Sequence, residues 1–252
     1  MFVSTLLTVL AFTLKPNALF FSGGNSLMPN LIYGGFIEKL NEVANVKPIQ
    51  NSVNYFPITS LIQYNTPSDS MMTQLLDNDI TNEGTFAISH SSGATTLLNQ
   101  CSKFNVDKVI LLDPVDNNKI VNKQFPDINK FKDVLVIKAE KSYKWSFDNL
   151  KKNMLFIPNV KIPFIPIGKL DTDVFKNKTE LIIKDFGHCD ILDQPYNNYM
   201  HTSFAEGNEN RELLPLYKTK LVEIINLFIN NNLNEDTLNS TFLDSGIKYT
   251  IN

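Results

Sequence analysis

Five short apolar runs recur along the chain, and each is typical of a buried β-strand. Continuous runs of Val, Ile, Leu and Phe, without strict alternation, are typical of strands that are covered on both faces of a parallel sheet. The predicted strands are residues 18–22 (ALFFS), 85–89 (TFAIS), 108–112 (KVILL), 133–139 (DVLVIKA) and 179–184 (TELIIK).

Helical patterns lie between these runs. Residues 31–43 carry apolar side chains three and four positions apart, and similar spacing predicts helices at 68–76, from about 92 to 104, and at 219–229. The alternation of strands and helices predicts an α/β fold with a mostly parallel sheet and helices on both faces. Ligand sites in such sheets lie beyond the carboxyl ends of the strands, so the residues that follow each strand are the functional candidates.

The length of 252 residues suits one domain. We expect an N-terminal apolar segment at 1–17, the α/β domain at 18–233 and a C-terminal tail at 234–252. The apolar run at 2–11 is too short to cross a bilayer and has no preceding positive charge, so a first strand and a signal peptide both stay open. The compartment, whether cytoplasmic, plastid-like or secreted, stays open with it.

The charge and the content of arginine, cysteine and histidine limit which ligands and partners the protein is expected to bind. The net charge is −3 and Arg211 is the single arginine, so the basic stripe of a nucleic-acid binder is missing. Cys101 and Cys189 are expected to be thiols, since two cysteines make neither a disulfide framework nor a zinc site. Three scattered histidines argue against a metal centre. A small-molecule substrate, no cofactor and no stable membrane span are expected.

Ser91 is the candidate nucleophile. It lies in the segment Ser89-His90-Ser91-Ser92-Gly93, between a predicted strand and a predicted helix. This is the context of a G-x-S-x-G nucleophile elbow, in which small flanking residues let the strand and helix approach closely. The alternative is that Ser91 and Ser92 only cap the helix, as serine often does.

His188 is the candidate general base, because it alone among the three histidines follows a late strand. The order of nucleophile, acid and histidine along the chain then fits this type of site. The alternative is a histidine packed in a turn. His90 lies inside the elbow, so its ring is expected to point away from the reaction centre, and His201 lies in a polar loop. Asp190 and Asp193 are expected to anchor the His188 loop.

Two carboxylates compete for the role of the acid that orients the imidazole. Asp113 ends the strand after the elbow and precedes Pro114, which fixes the turn, whereas Glu140 ends the following strand. Asp113 is preferred because aspartate is shorter and more rigid. Asp116 is a residual candidate, and otherwise a solvated loop acid.

A glycine pair after the first strand suits an oxyanion loop. Gly23 and Gly24 free the backbone to aim an N–H group into a pocket, and we assign the oxyanion donors to the amides of Gly24 and Ser92. A phosphate-binding loop is excluded because neither G-x-G-x-x-G nor G-K-[ST] is present.

Four motifs at the predicted strand ends are Ser22-Gly23-Gly24, His90-Ser91-Ser92-Gly93, Leu112-Asp113-Pro114-Val115 and Gly187-His188-Cys189-Asp190-Ile191-Leu192-Asp193. Together they resemble the chlorophyllase and chlorophyllase-like branch of the α/β-hydrolases, over residues 18 to 233. In that family the serine lies in a G-H-S-R-G-G elbow, the acid in a D-P-V turn and the base in G-H-x-D-x-L-D. The resemblance implies the α/β-hydrolase fold and a triad of Ser91, Asp113 and His188.

The resemblance also implies hydrolysis of an ester of a long apolar alcohol, such as the phytyl ester of chlorophyll, without a cofactor. Three departures bear on the substrate: Ser89 replaces the first elbow glycine, Ser92 the arginine and Ala94 the last glycine. A generic lipase or carboxylesterase is therefore the nearest alternative. A catalytically silent α/β-hydrolase that serves as a binding module is the alternative from a different class.

The segment 194–216 is long for a connection and mixes aromatic with polar residues. Long loops near sites are often lids, and Tyr199 and Phe204 are the candidate cover residues. The alternative is surface packing against the last helix.

Overall fold

The computed structural model describes residues 15–26, 28–50, 85–100, 106, 108–116, 124–125, 128–142, 169–203 and 206–252. Several sequence predictions lie outside the described residues. They are the N-terminal apolar run at 2–11, the helix at 68–76, the end of the helix predicted to reach residue 104, Cys101 and Phe204.

Seven strands of the described chain form one sheet in the order β2-β1-β3-β4-β5-β6-β7. The first six are parallel to their neighbours, and β7 pairs antiparallel with β6. The strands are β1 Asn17–Phe21, β2 Asn45–Ile49, β3 Phe86–His90, β4 Lys108–Leu112, β5 Asp133–Ala139, β6 Lys178–Ile183 and β7 Tyr249–Ile251. All five strands predicted from the sequence are confirmed, each to within one residue.

Six α-helices are described, together with three short 3₁₀ helices. The α-helices are α1 Gly23–Ser26, α2 Gly34–Leu40, α3 Gly93–Gln100, α4 Tyr196–Ser203, α5 Leu214–Ile229 and α6 Glu235–Phe242. The 3₁₀ helices are Asn30–Tyr33, Ile128–Lys130 and Arg211–Leu213. Among the described residues, no helix has the length and hydropathy that crossing a bilayer requires.

The sheet is covered on both faces, because successive side chains of each strand point to opposite sides. In β1, Phe20 belongs to the core shared with α2, α5 and α6, whereas Phe21 belongs to the core shared with α3. The same alternation continues in β3, β4 and β5. The predicted α/β fold, with a mostly parallel sheet and helices on both faces, is confirmed.

The segment from residue 234 differs from the expected tail. It forms α6 and the edge strand β7, and Leu238, Phe242 and Ile247 are buried in the core. The side chain of Asn234 accepts from the Thr237 amide and Thr237 bonds back, which is a reciprocal cap at the start of α6. The sheet therefore extends beyond the boundary expected at residue 233.

Candidate active site

Ser91 occupies the turn between β3 and α3. Its φ is +55°, in the left-handed region that non-glycine residues seldom adopt. The turn is held by backbone hydrogen bonds: the Ser91 amide donates to Leu112 O at 3.0 Å, and the amides of Ala94 and Val115 donate to Ser91 O at 3.1 Å. Such strain persists only where the surroundings determine it, which is typical of functional sites. The strand–serine–helix turn expected from the sequence is present.

Gly93, two residues after Ser91, is required for steric reasons. A Cβ added at Gly93 would lie 2.4 Å from both Phe21 O and Ser22 O, so any side chain here would collide with the backbone after β1. At the other flank, the Ser89 side chain is fully buried, and its Oγ has no hydrogen-bond partner among the described residues. The serine is thus accommodated in place of the first elbow glycine, but its hydroxyl is unsatisfied there.

His188 lies in a tight loop after β6 and is buried. Asp190 holds this loop: its Oδ2 accepts the amides of Gly187 at 2.8 Å and Asn208 at 2.7 Å, and its Oδ1 lies 3.1 Å from the Arg211 guanidinium. The expected anchoring by Asp190 is confirmed.

Asp193 holds the other end of the loop. Its Oδ2 accepts the Gly35 amide at 2.7 Å, its Oδ1 pairs with Lys218, and its own amide donates to Ile32 O at 2.8 Å. The expected anchoring by Asp193 is also confirmed.

Asp113 faces His188. The carboxylate Oδ2 lies 3.9 Å from His188 Nδ1, and Oδ1 accepts the Ala139 amide at 2.8 Å. Glu140 lies elsewhere: its carboxylate pairs with Lys184 at 3.2 Å and accepts the Asp185 amide at 3.1 Å. Asp116, expected to be solvated if it is not the acid, is buried. Of the two main competing acids, only Asp113 is brought to the histidine.

Burial governs the protonation of the pair. Desolvation raises the pKa of Asp113 to about 7 and lowers the pKa of His188 to about 4. At neutral pH the imidazole is therefore neutral, which is the state that can accept a proton. Any imidazolium formed next to Asp113 would favour the ionised carboxylate, because opposite charges attract strongly in a buried site.

The glycine pair lies against the elbow. A Cβ added at Gly23 would lie 3.4 Å from Ser91 Cβ and 2.9 Å from the Tyr33 hydroxyl, so this loop approaches the serine closely. Gly24 has a φ of +60°, a conformation that glycine adopts without strain. Ser92 is buried one residue before α3 begins. The two predicted oxyanion donors, Gly24 and Ser92, are thus each one residue away from the contact between Gly23 and Ser91.

The expectation that the His90 ring points away from the reaction centre is wrong. Its centroid lies 4.7 Å from that of the His188 ring, and its Nε2 lies 2.9 Å from His188 O. The physical reason is the alternation of side chains along β3, which turns His90 toward the His188 loop. Its Nδ1 lies 2.9 Å from the hydroxyl of Tyr33, which sequence analysis missed. The signal was available, since a tyrosine in an apolar helical pattern needs a partner for its buried hydroxyl.

His90, Asp113 and His188 also have the spacing of a metal site, because one potential ligand atom of each lies within 4.8 Å of the other two. The hydrogen bonds of these three residues suit acid–base catalysis better than metal binding. Both His90 nitrogens are in hydrogen bonds, to Tyr33 and to a backbone carbonyl, and one Asp113 oxygen accepts the Ala139 amide. A metal bound here would have to break the imidazole hydrogen bonds.

The predicted cover segment divides into two parts. Residues Tyr196–Ser203 form α4, which exposes Tyr199 at 68% and Tyr196 at 41% of their surface. Farther along, Leu214 begins α5, which starts before the helix predicted at 219–229, and its side chain is buried in the core. Among the described residues of the segment 194–216, the exposed large aromatic side chains are Tyr196 and Tyr199 of α4. His201, expected in a loop, lies in this helix.

Comparison with known proteins finds similar solved structures. Est1E from Butyrivibrio proteoclasticus is 12% identical, with 82% of this chain and 87% of that chain covered and a TM-score of 0.45. MGS-M1, an alpha/beta hydrolase enzyme from a Medee basin deep-sea metagenome library, is 16% identical, with 84% and 85% covered and a TM-score of 0.44. Carboxyl esterase 2 from the mycorrhizal fungus Tuber melanosporum is 12% identical, with 88% and 78% covered and a TM-score of 0.43. No protein-family model matches the chain, and no curated protein sequence matches it.

The arrangement within the sheet establishes the fold type. A serine turn follows the interior strand β3, an aspartate follows the neighbouring β4, and a histidine loop follows β6, the last of the parallel strands. The chain has the α/β-hydrolase fold. Its fold alone does not assign a reaction.

Proposed function

We propose that this chain is a serine carboxylic-ester hydrolase with Ser91 as nucleophile, His188 as general base and Asp113 as the acid that orients it. The observation that carries the proposal is the φ of +55° at Ser91, in a strand-to-helix turn beside a buried histidine–aspartate pair. A serine that only capped the helix would not need this strained conformation.

The proposed reaction is acyl transfer to water. His188 takes the Ser91 proton while Ser91 Oγ attacks the ester carbonyl, and the resulting oxyanion is held by the amides of Gly24 and Ser92. His188 then donates the proton to the departing alcohol. A water molecule, activated by the same imidazole, attacks the acyl-enzyme and releases the acid. Asp113 keeps the imidazole in the required tautomer and stabilises its protonated form.

Labelling with a fluorophosphonate probe tests this proposal. We expect covalent labelling of the unmodified protein at Ser91, located by mass spectrometry, and its loss in Ser91→Ala together with ester hydrolysis. The rate should fall by several powers of ten while the fold is unchanged by circular dichroism. Ser92→Ala is the matched control, because its proposed contribution is a backbone amide that alanine retains. A folded Ser91→Ala protein that still hydrolyses esters would contradict the assignment.

The absence of any probe labelling in the unmodified protein would favour the alternative of a silent α/β-hydrolase that serves as a binding module. Dialysis against a chelator tests the metal alternative. The proposed mechanism uses only side chains and backbone amides, so we expect the hydrolysis rate to be unchanged after treatment with EDTA. Loss of activity that added zinc restores would assign the His90–Asp113–His188 cluster to a metal.

We further propose that the substrate is an ester of a long apolar alcohol, of the chlorophyll type. Support comes from the resemblance of the D-P-V and G-H-x-D-x-L-D motifs and from the exposed aromatic side chains of α4. Pockets for apolar ligands are lined by aromatic and aliphatic groups, which suits Tyr196 and Tyr199.

A series of esters graded by alcohol length tests the substrate proposal. We expect kcat/KM to rise with length, since each buried methylene contributes about 0.8 kcal/mol. Replacing Tyr199 and Phe204 by alanine should flatten that dependence and spare short esters. A rate indifferent to alcohol length in the unmodified protein would leave a short-chain esterase.

A further inference from the structure

A continuous series of hydrogen bonds joins three segments of the site that lie far apart in the sequence. The Gly23 amide lies 3.0 Å from the Tyr33 hydroxyl, which lies 2.9 Å from His90 Nδ1. On the other side of the same ring, His90 Nε2 lies 2.9 Å from His188 O. The glycine loop after β1, the serine turn after β3 and the histidine loop after β6 are thus connected through two buried side chains.

The chemistry of the two ends fixes every proton in this series. The Gly23 amide can only donate, so the Tyr33 oxygen accepts a hydrogen bond from it. The Tyr33 hydroxyl then donates its own hydrogen bond to His90 Nδ1. The His188 carbonyl can only accept, so His90 Nε2 must carry a proton. Both requirements select the same neutral tautomer of His90. The hydroxyl of Tyr33 therefore determines which His90 nitrogen donates to the His188 backbone.

Burial keeps these protons in place. Desolvation lowers the pKa of His90 well below its usual value and raises the pKa of Tyr33 above its usual value. Both side chains are buried, and ring packing restrains them: the Tyr33 and His90 centroids are 5.5 Å apart, and those of His90 and His188 are 4.7 Å apart. Neither group changes charge near neutral pH, so the series acts as a fixed brace rather than as a proton relay.

We propose that Tyr33 and His90 are positioning residues, which hold the oxyanion loop and the His188 loop at a fixed separation around Ser91. This inference rests on the proposed serine hydrolysis. Neither side chain touches the substrate in this role. Tyr33 acts on the oxyanion through the Gly23 amide beside the Gly24 donor, and His90 acts on the base through the His188 carbonyl.

The position of Gly23 supports the assignment. A Cβ built at Gly23 would lie 3.4 Å from Ser91 Cβ, so the glycine loop lies close to the serine. A small shift of this backbone would therefore change the distance from the Gly24 amide to the developing oxyanion. Displacement of a reacting group by about 1 Å can cost on the order of a hundredfold in rate. A brace that acts on the transition state should therefore affect kcat more than KM.

Tyr33→Phe is the first test, because it removes one hydroxyl and keeps the ring. We expect kcat to fall on the order of tenfold to a hundredfold with KM changed less than about twofold. The affinity for a boronic acid inhibitor, which forms a tetrahedral anion on the serine, should fall by a similar factor. Tyr249→Phe is the control, since it also removes one tyrosine hydroxyl bond, an exposed one to Asn239 at 2.7 Å, but at β7.

His90 offers a rescue experiment. His90→Leu removes both ring nitrogens, and we expect a fall in kcat at least as large as that of Tyr33→Phe. His90→Gln retains an N–H donor toward the His188 carbonyl, so it should recover part of the lost kcat. If His90→Leu and His90→Gln are equally impaired although both fold, the donor to the His188 carbonyl has no positioning role and the proposal fails.

Nitrogen NMR of the imidazoles separates this inference from the proposed function. With three histidines in the chain, the tautomer of His90 can be read directly. We expect the tautomer protonated at Nε2 in the unmodified protein and a mixture of tautomers in Tyr33→Phe. An active protein with unchanged tautomer, kcat and boronic acid affinity in Tyr33→Phe would overturn the positioning role alone. An unmodified protein without hydrolysis or probe labelling would overturn the proposed function, and the positioning role with it.

Discussion

Two carboxylates end neighbouring strands, and the fold gives them opposite surroundings. Asp113 follows β4, is buried, has a φ of +44° and has one oxygen fixed by the Ala139 amide and the other turned to His188. Glu140 follows β5, is exposed, and forms an ion pair with Lys184. From the sequence both were plausible partners for the histidine.

The difference between them comes from the turn, not from the strand. The backbone ties both residues to the next strand, since the Asp113 amide donates to Ile137 O at 2.8 Å and the Glu140 amide to Ile183 O at 2.9 Å. Of the two, Asp113 alone has the left-handed conformation, and its carboxylate is buried. Glu140 continues past β5 and reaches solvent, where it binds the Asp185 amide. A carboxylate that orients a histidine needs burial beside it, and only one of the two turns supplies that burial.

The largest expected effect concerns the rate. We predict that Asp113→Asn lowers kcat by roughly three to four powers of ten, because an amide favours the wrong imidazole tautomer. Glu140→Gln should change kcat by less than about threefold, since it removes the charge of an exposed ion pair and leaves an amide oxygen in place. Steady-state kinetics on one activated ester compares the two. A worse defect in Glu140→Gln would move the acid to the end of β5.

Although Asp113→Asn is expected to lower the rate, it is expected to raise the stability of the fold. Burial raises the pKa of Asp113 from 3.8 to about 7, so the folded protein holds a proton that the unfolded chain releases between these values. Stability is therefore lost as the pH rises through this window. Because a tenfold change in the ionisation equilibrium corresponds to about 1.4 kcal/mol, Asp113→Asn should gain up to about 4 kcal/mol in free energy of unfolding at pH 8.

Urea denaturation at pH 8 and pH 5 tests this effect. The gain from Asp113→Asn should shrink to less than about half at pH 5, where the folded aspartate is already protonated. His188, with a pKa lowered to about 4, acts in the other direction in both proteins, because its contribution is lost as the pH falls from 6.5 through about 4. A gain that is equal at both pH values would show that something other than ionisation of Asp113 is responsible.

The pH dependence of the rate should follow the same pair. His188 must be neutral and Asp113 ionised, so kcat/KM is expected to rise with pH up to about 7 and then level off, with a fall of about tenfold for each pH unit below. This fall of kcat/KM below about pH 7 reports the ionisation of the Asp113–His188 pair as a whole, not of either residue alone. It should persist in Glu140→Gln and disappear from the residual activity of Asp113→Asn. If kcat/KM of the unmodified protein fell only near pH 4, Asp113 would already be ionised above that pH in the free protein, which contradicts a pKa of about 7.

The smallest effect is expected at the exposed carboxylate. Lys184→Met removes the partner of Glu140, and exposed ion pairs of this kind contribute about 1 kcal/mol or less to stability. We therefore predict a change in free energy of unfolding below about 1 kcal/mol and no change in kcat. A larger loss, or any loss of rate, would mean that Glu140 supports the site indirectly through the Asp185 amide.

Local patterns predicted the parts of the fold that are buried on both faces. The runs in β1, β3, β4, β5 and β6 are apolar because the sheet is covered by helices, so length and composition sufficed. The edges were missed for the converse reason. β2 contains a lysine and Pro48 and is half exposed, and β7 has only three residues, so neither shows an apolar run. The helix α4 has a mainly polar sequence without helical spacing.

The site was predicted only as far as strand ends can predict it. The rule that parallel strands end at one edge brought Ser91, Asp113 and His188 to the same region, but it could not distinguish Asp113 from Glu140, because that difference depends on burial. The proposed roles of His90 and Tyr33 depend on which way a strand residue faces and on a contact across 57 positions of sequence. The sequence indicates that the Tyr33 hydroxyl needs a partner, but only the folded chain reveals that the partner is His90.

The anchors of the segment around α4 limit how it can move. Before the helix, Asp193 accepts the Gly35 amide and forms an ion pair with Lys218. After the helix, the Asn208 amide donates to Asp190. The backbone is also in close contact there, because a Cβ added at Gly187 would lie 1.7 Å from Glu206 O. The segment is therefore joined to the rest of the domain on both sides of the helix that carries Tyr196 and Tyr199, so the two aromatic side chains stand on a stretch of chain that is anchored twice.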